Sequence, residues 1–210
     1  MSEDEITEER QRLARTAMDL MERRGEEISR AQLATELGIA RTRVEQIFPD
    51  MDDLRDAVTA EWFAPKLILM DEVMASDLPP RRKMYEFFAR RFVLMQDEFR
   101  ADPATFRLYV EMGEDYLEHS QSYVDLADHY LCELIAEAQA DGYFPDLEIN
   151  DALSLINQAV ACYLIPYLIA TLGDRLTEDK LGSIVDTLFA GLSGKDGGAR
   201  GIDRLKLAGN

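Results

Sequence analysis

The stretch "ISRAQLATELGIARTRVEQIFPD", Ile28 to Asp50, arranges apolar residues as two short helices around one glycine. Leu33, Ala34 and Leu37 recur at helical spacing. Ser29 stands where a helix takes its N-cap. Gly38 supplies the permissive backbone of a tight turn, and Ile39 plugs the corner. Val44, Ile47 and Phe48 then form the inner face of the next helix. Short helix, glycine turn, short helix is the pattern of a helix-turn-helix. Arg41, Thr42, Arg43 and Gln46 fall where a recognition helix presents side chains. Arginine reads guanine and glutamine reads adenine in the major groove. Ser29 and Arg30 sit at a helix start, where backbone N–H groups meet phosphate. Against these stand Glu45 and the absence of any lysine in the stretch.

The charge around the motif is acidic. The chain of 210 residues carries a net charge of −18. Residues 1–63 hold nine Arg, no Lys and sixteen Asp or Glu, a balance of −7. Such a balance opposes non-specific attraction to nucleic acid or anionic membranes. Any DNA surface here is a local arginine patch on an acidic body. Arg10, Arg12 and Arg15 on the preceding helix are candidate phosphate contacts, with a solvated surface as the alternative. Arg41 and Glu45 lie four apart and are placed to pair on the helix surface.

Helical periodicity continues along the whole chain and predicts an all-α fold of about nine helices. The first helix spans about Ile6 to Arg24 and the third about Arg41 to Phe48. Asp50 caps a fourth that runs toward Ser76, with Pro65 as a kink. A fifth covers about Arg81 to Arg100. A sixth opens at Asp102-Pro103 and runs to about Glu118. The seventh opens at Ser120 or Ser122. Asn150 caps an eighth to about Leu172, and Thr177 caps the ninth. The expected organisation is a helix-turn-helix head over 1–50 (motif 29–48), a connecting helix over 51–76, a body over 77–193 and a loose tail over 194–210. Two apolar C-terminal helices suit a paired four-helix bundle. They make Tyr163, Pro166, Tyr167, Ile184, Val185, Leu188 and Phe189 the candidate dimer interface.

Aromatic residues spread over the fifth to seventh helices can line an apolar cavity. The candidates are Phe88, Phe92, Tyr109, Tyr116, Tyr123 and Tyr130. His119 and His129 have no Cys or His partner at metal spacing, so no metal and no cofactor is expected. Nothing reads as a nucleophile–base arrangement, a glycine-rich phosphate loop or a catalytic acid pair, so no enzyme is expected. The longest apolar run, "AVACYLIPYLIA", has 12 residues and falls short of a membrane span. The acidic start is not a secretory signal. Cys132 and Cys162 are expected as buried, reduced thiols, and a cytoplasmic location follows.

The segment from Ser29 to Phe48, followed by Pro49-Asp50-Met51-Asp52-Asp53-Leu54, resembles the DNA-binding segment of the TetR family of bacterial transcription regulators. Its spacing agrees without a gap. "AQADGYFPDLEINDAL" resembles a stretch common before the dimerising helices of that family. The resemblance implies an all-helical homodimer, a ligand cavity in the body, and binding to double-stranded operator DNA that a small, mainly apolar effector relieves. Four positions depart from the family pattern: Ala40 stands for a capping hydroxyl, Glu45 for a phosphate-binding tyrosine, Ile47 for a histidine or tyrosine, and Met51 for a lysine. Phosphate contacts supply generic affinity, whereas base contacts specify. Two readings follow. One is a ligand-responsive repressor with few phosphate contacts. The other is a dimeric protein of the same fold that has lost DNA binding and acts through a partner protein or ligand alone.

Overall fold

The computed structural model describes residues 3–115, 117–145 and 147–193. Tyr116, the side chain of His119 and the tail 194–210 lie outside the described residues. The fold is all-α, with no strand among the described residues. Among the described residues ten helices follow one another: α1 Glu3–Arg24, α2 Arg30–Leu37, α3 Arg41–Ile47, α4 Met51–Met74, α5 Pro80–Ala101, α6 Pro103–Asp115, α7 Leu117–Ala140, α8 Ile149–Leu164, α9 Pro166–Leu172 and α10 Glu178–Leu192. A 3₁₀ turn, Gly173–Arg175, joins the last two.

Pro166 explains the tenth helix. The sequence pattern reads as one helix from Asn150 to Leu172, but proline lacks the amide that would continue the ladder. Ile165 takes an extended conformation, Pro166 becomes the first residue of α9, and the two segments are bent by 53°. Asn150 lies inside the first turn of α8, behind Glu148 at the cap position. Pro65 behaves differently: α4 runs through it to Met74. Among the described residues no single helix is long and apolar enough to cross a membrane.

The head packs around α1. Leu13, Ala14, Ala17, Leu20 and Met21 form its buried stripe, facing Leu33 and Ala34 of α2 and Val44 and Ile47 of α3. Phe48 closes this core, fully buried. The turn is set locally. Gly38 adopts φ 63°, and the Ile39 amide donates to the Ala34 carbonyl at 3.1 Å, which ends α2 in the left-handed manner glycine permits. Ser29 opens α2 with a capping box. Its hydroxyl oxygen accepts from the Gln32 amide at 3.2 Å, and its own amide donates to Gln32 Oε1 at 2.7 Å. Ser29→Ala removes that cap and is expected to cost the head about 1 kcal/mol. Urea denaturation with a helical probe checks it, and an unchanged midpoint would show that the cap is dispensable.

The connecting helix α4 carries the head on the body. It packs on α1 at one end and on α5, α6 and α7 at the other. Asp50 caps it, accepting from the Asp53 amide at 2.9 Å, and Asp52 and Asp53 meet the positive end of the helix. In the body, α5 is the central element. Met84, Phe87, Phe88, Phe92 and Met95 are buried on it, and α10, α7, α8 and α9 surround it. Cys132 and Cys162 are free and half-buried rather than fully enclosed, because each lies toward the outer side of its helix. Burial still pushes both thiols above their ordinary pKa.

Candidate nucleic-acid interface and junction cavity

Helix α3 presents its polar residues by simple helical geometry. Val44 and Ile47 turn inward, so Arg41, Thr42 and Gln46 stand exposed on the opposite face. Ala40 occupies the N-cap position without a side-chain hydrogen bond. Ile47 is buried and Met51 packs against the core, so these two of the four positions that depart from the family pattern serve the head's interior.

The arginines are engaged within the chain. Arg41 Nε donates to Glu45 Oε1 at 2.7 Å. Arg43 is half-buried and reaches back to α1, where its guanidinium forms a fork on both carboxylate oxygens of Glu9. Arg12 stands 3.9 Å from the same carboxylate. Arg10 donates to the carbonyls of Ile47 and Asp53, both at 3.0 Å, and lies over the Phe48 ring at 4.9 Å. It therefore ties α1 to the end of α3 and the start of α4. Arg30 donates to the carbonyls of Phe48 (2.7 Å) and Pro49, tying the start of α2 to the same corner. Arg15 pairs with Glu61, Arg23 and Arg24 with Glu36, and Arg55 with Glu27 and Asp52. Arg10 also lies 3.6 Å from the Asp53 carboxylate and 3.7 Å from that of Asp56, so all nine arginines of residues 1–63 have partners in the chain, and eight of the nine meet carboxylates. Glu9 has no motif to mark it. The contact joins residues 34 apart, which periodicity does not reveal.

The aromatic residues singled out for a ligand do not gather around one space. Phe88 and Phe92 are core residues, Phe88 edge-on to Phe87 and Phe92 edge-on to Tyr163. Tyr123 stacks on Phe63 with centroids 4.2 Å apart. The Tyr130 hydroxyl donates to Asp71 at 2.6 Å. Among the described candidates, Tyr109 faces a cavity of about 290 Å³, open to solvent on one side, where α1 and α4 meet α5 and α6. Its apolar wall is Trp62, Phe106 and Tyr109, with Trp62 stacked on Tyr109 at 5.7 Å and edge-on to Phe106 at 5.8 Å. Its polar wall is Glu22, Glu61, Glu98 and Asp102. Trp62 carries no signal in sequence beyond being the chain's single tryptophan.

Beside this cavity lies a buried ion pair. Lys66 is fully buried, and its ammonium donates to Glu98 Oε1 at 2.6 Å, to Oε2 at 2.7 Å and to the Trp62 carbonyl at 2.8 Å. It also sits 4.4 Å from the centre of the Trp62 ring. Burial lowers the Lys66 pKa, and Glu98 acts in the opposite sense. The Tyr109 phenol is raised above its ordinary pKa by burial first and by Glu22 second.

The candidate dimer residues fall into two groups. Tyr163, Val185 and Phe189 are buried within the protomer. Tyr167 is exposed, and Pro166, Ile184 and Leu188 are partly so. Leu155 and Ile165 add large exposed apolar side chains to the same pair of helices and the bend between them.

Residues 80–185, half of the chain, match the family described as tetracyclin repressor-like, C-terminal domain. With the helical body that carries this match, the chain belongs to the TetR family of regulators. No curated protein matches the sequence.

Proposed function

We propose that the chain is a ligand-responsive transcriptional regulator, a repressor, that binds operator DNA as a cytoplasmic homodimer and is released by a small effector. The organisation follows the sequence boundaries: a DNA-binding head over 1–50, a connecting helix over 51–76, and a ligand-binding and dimerising body over 77–193. One observation carries the reading. A capped α2, a left-handed turn at Gly38 and an inward-packed α3 leave Arg41, Thr42 and Gln46 exposed together on one helical face. Arg43 joins them at the cost of leaving Glu9, and Ser29 and Arg30 approach a phosphate only through the start of α2. Selection from random duplex oligonucleotides at low salt tests this. Recovery of a two-fold symmetric site, with half-sites about 34–36 Å apart, supports it.

A second reading has its own support. The engagement of every head arginine within the chain suits a protein of this fold that no longer binds DNA and acts through a partner or ligand alone. Failure of the selection at every salt concentration favours that reading.

Dimerisation is assigned to the exposed sides of α8, α9 and α10. Leu188→Glu places a charge on the proposed paired surface, one turn from Ile184 on α10, and is expected to give monomers. Sedimentation velocity at micromolar concentration reads the result. A wild-type monomer contradicts the assignment.

A further inference from the structure

We infer that the cavity between head and body is a binding site for a compact organic cation, an alkyl- or arylammonium group on an apolar frame. The inference deepens the ligand-responsive reading and rests on it for its regulatory consequence.

The first ground is charge. Four carboxylates line the cavity, and no Lys or Arg is among its lining residues. Lys66 offsets Glu98 and Arg15 offsets Glu61. Asp102 stays ionised: it accepts from the Thr105 hydroxyl at 2.7 Å and from the Ala104 and Thr105 amides, and these bonds hold its pKa below the usual value. Glu22 has only the Tyr109 hydroxyl, at a long 3.4 Å. The lining thus retains about two uncompensated negative charges, which repel an anion and attract a cation.

The second ground is the wall itself. Trp62, Phe106 and Tyr109 line the cavity, mostly buried and packed on one another, and give it an apolar aromatic wall for the frame of the ligand. Beside the cavity the Lys66 ammonium already rests against Trp62 and Glu98. A second cation entering the cavity would meet the Glu22 carboxylate, which lines the same space as Trp62. The volume, near the lower end of the roughly 300–1,000 Å³ usual for ligand pockets, restricts the ligand to a small frame. Among the described residues no group of three or more His, Cys, Asp or Glu is arranged for a metal ion, so the favoured cation is organic.

The position gives the site its consequence. Glu22 belongs to α1 of the head, Trp62 to the connecting helix, and Glu98 and Tyr109 to the body. A cation held between them fastens the head to the body in one relation. Its differential affinity for that relation is what shifts the population of heads competent for DNA.

The lone tryptophan makes the test direct, since all tryptophan fluorescence comes from this wall. The intact protein is titrated with benzyltrimethylammonium, with neutral benzyl alcohol and with anionic phenylacetate, and calorimetry accompanies the fluorescence. The expected result is a saturable response to the ammonium, with the neutral and anionic probes at least about tenfold weaker, a difference of about 1.4 kcal/mol or more. Glu22→Gln should weaken the ammonium by a similar factor while leaving the neutral probe unchanged. Glu22 is exposed and holds no ion pair, so this variant folds; an unchanged melting curve checks that. No ammonium binding, equal binding of all three probes, or ammonium affinity untouched by Glu22→Gln overturns the inference. Operator affinity measured with and without saturating ammonium is scored separately: an ammonium that binds as expected but leaves DNA affinity unchanged contradicts the regulatory reading, not the site.

Discussion

Glu98→Gln is expected to destabilise the folded chain by about 3 kcal/mol at neutral pH, the lower end for breaking a buried ion pair by removing one partner. The lower end applies because the Glu98 side chain keeps 27% of its exposure, whereas Lys66 keeps none. The loss comes mainly from the ammonium left buried without a counter-charge, held by the Trp62 carbonyl and ring and by a neutral amide oxygen in place of the carboxylate. Lys66→Met added to Glu98→Gln removes that stranded charge and should recover most of the stability. The pH dependence has a definite sign. Burial already holds the folded Lys66 pKa below its ordinary value. Between that pKa and the unfolded value, near about 10.4, the unfolded chain binds more protons, so stability rises with pH. Removing Glu98 lowers the folded pKa further and extends the window downward. The deficit of Glu98→Gln should therefore be greatest near neutrality and shrink as the pH approaches about 10. Urea denaturation at fixed protein concentration reads both results. A deficit independent of pH would show that Lys66 is not the group responsible.

The second large effect concerns DNA. Glu9→Gln combined with Glu45→Gln is expected to tighten binding to duplex DNA of any sequence by about tenfold at low salt. Arg43 and Arg41 must leave these carboxylates before meeting a phosphate or a base. Partly exposed ion pairs are worth up to about 1 kcal/mol each, so releasing two accounts for a factor of this order. The dependence on salt should steepen, by about 0.9 in log–log slope for each further phosphate neutralised. Stability should change little, because both pairs are partly exposed. Gel-shift or anisotropy titration over a salt series checks the affinity and slope together. Equal affinity and slope in variant and wild type would show that the pairs do not restrain the arginines.

Much of the head was legible in the sequence because its determinants are local. Ser29, Gly38 and the spacing of Leu33, Val44 and Phe48 act within a few residues of one another, and the structure keeps each in its expected place. The class of fold followed from helical periodicity for the same reason. The break at Pro166 was not legible, and Asn150 to Leu172 reads as one helix, since its apolar flanks are continuous and only the missing amide divides them. The junction cavity was not legible. Met18, Trp62 and Phe106 belong to three helices far apart in sequence, and the cavity depends on how α1, α4 and α6 meet. The tyrosines were visible, but their uses differ: Tyr130 spends its hydroxyl on Asp71 and Tyr123 its ring on Phe63, while Tyr109 turns to the cavity. The arginines were visible too, yet Glu9 as the holder of Arg43 appears only when α1 crosses α3.

The central claim is that an acidic head with its arginines already paired still reads a DNA sequence. A titration of the wild-type protein against its selected site and a scrambled duplex, at several salt concentrations, decides the question. The expected result is a clear preference for the selected site that persists as salt rises, with a shallow slope from few neutralised phosphates. Equal binding to both duplexes at every salt concentration, or binding to neither, would contradict it.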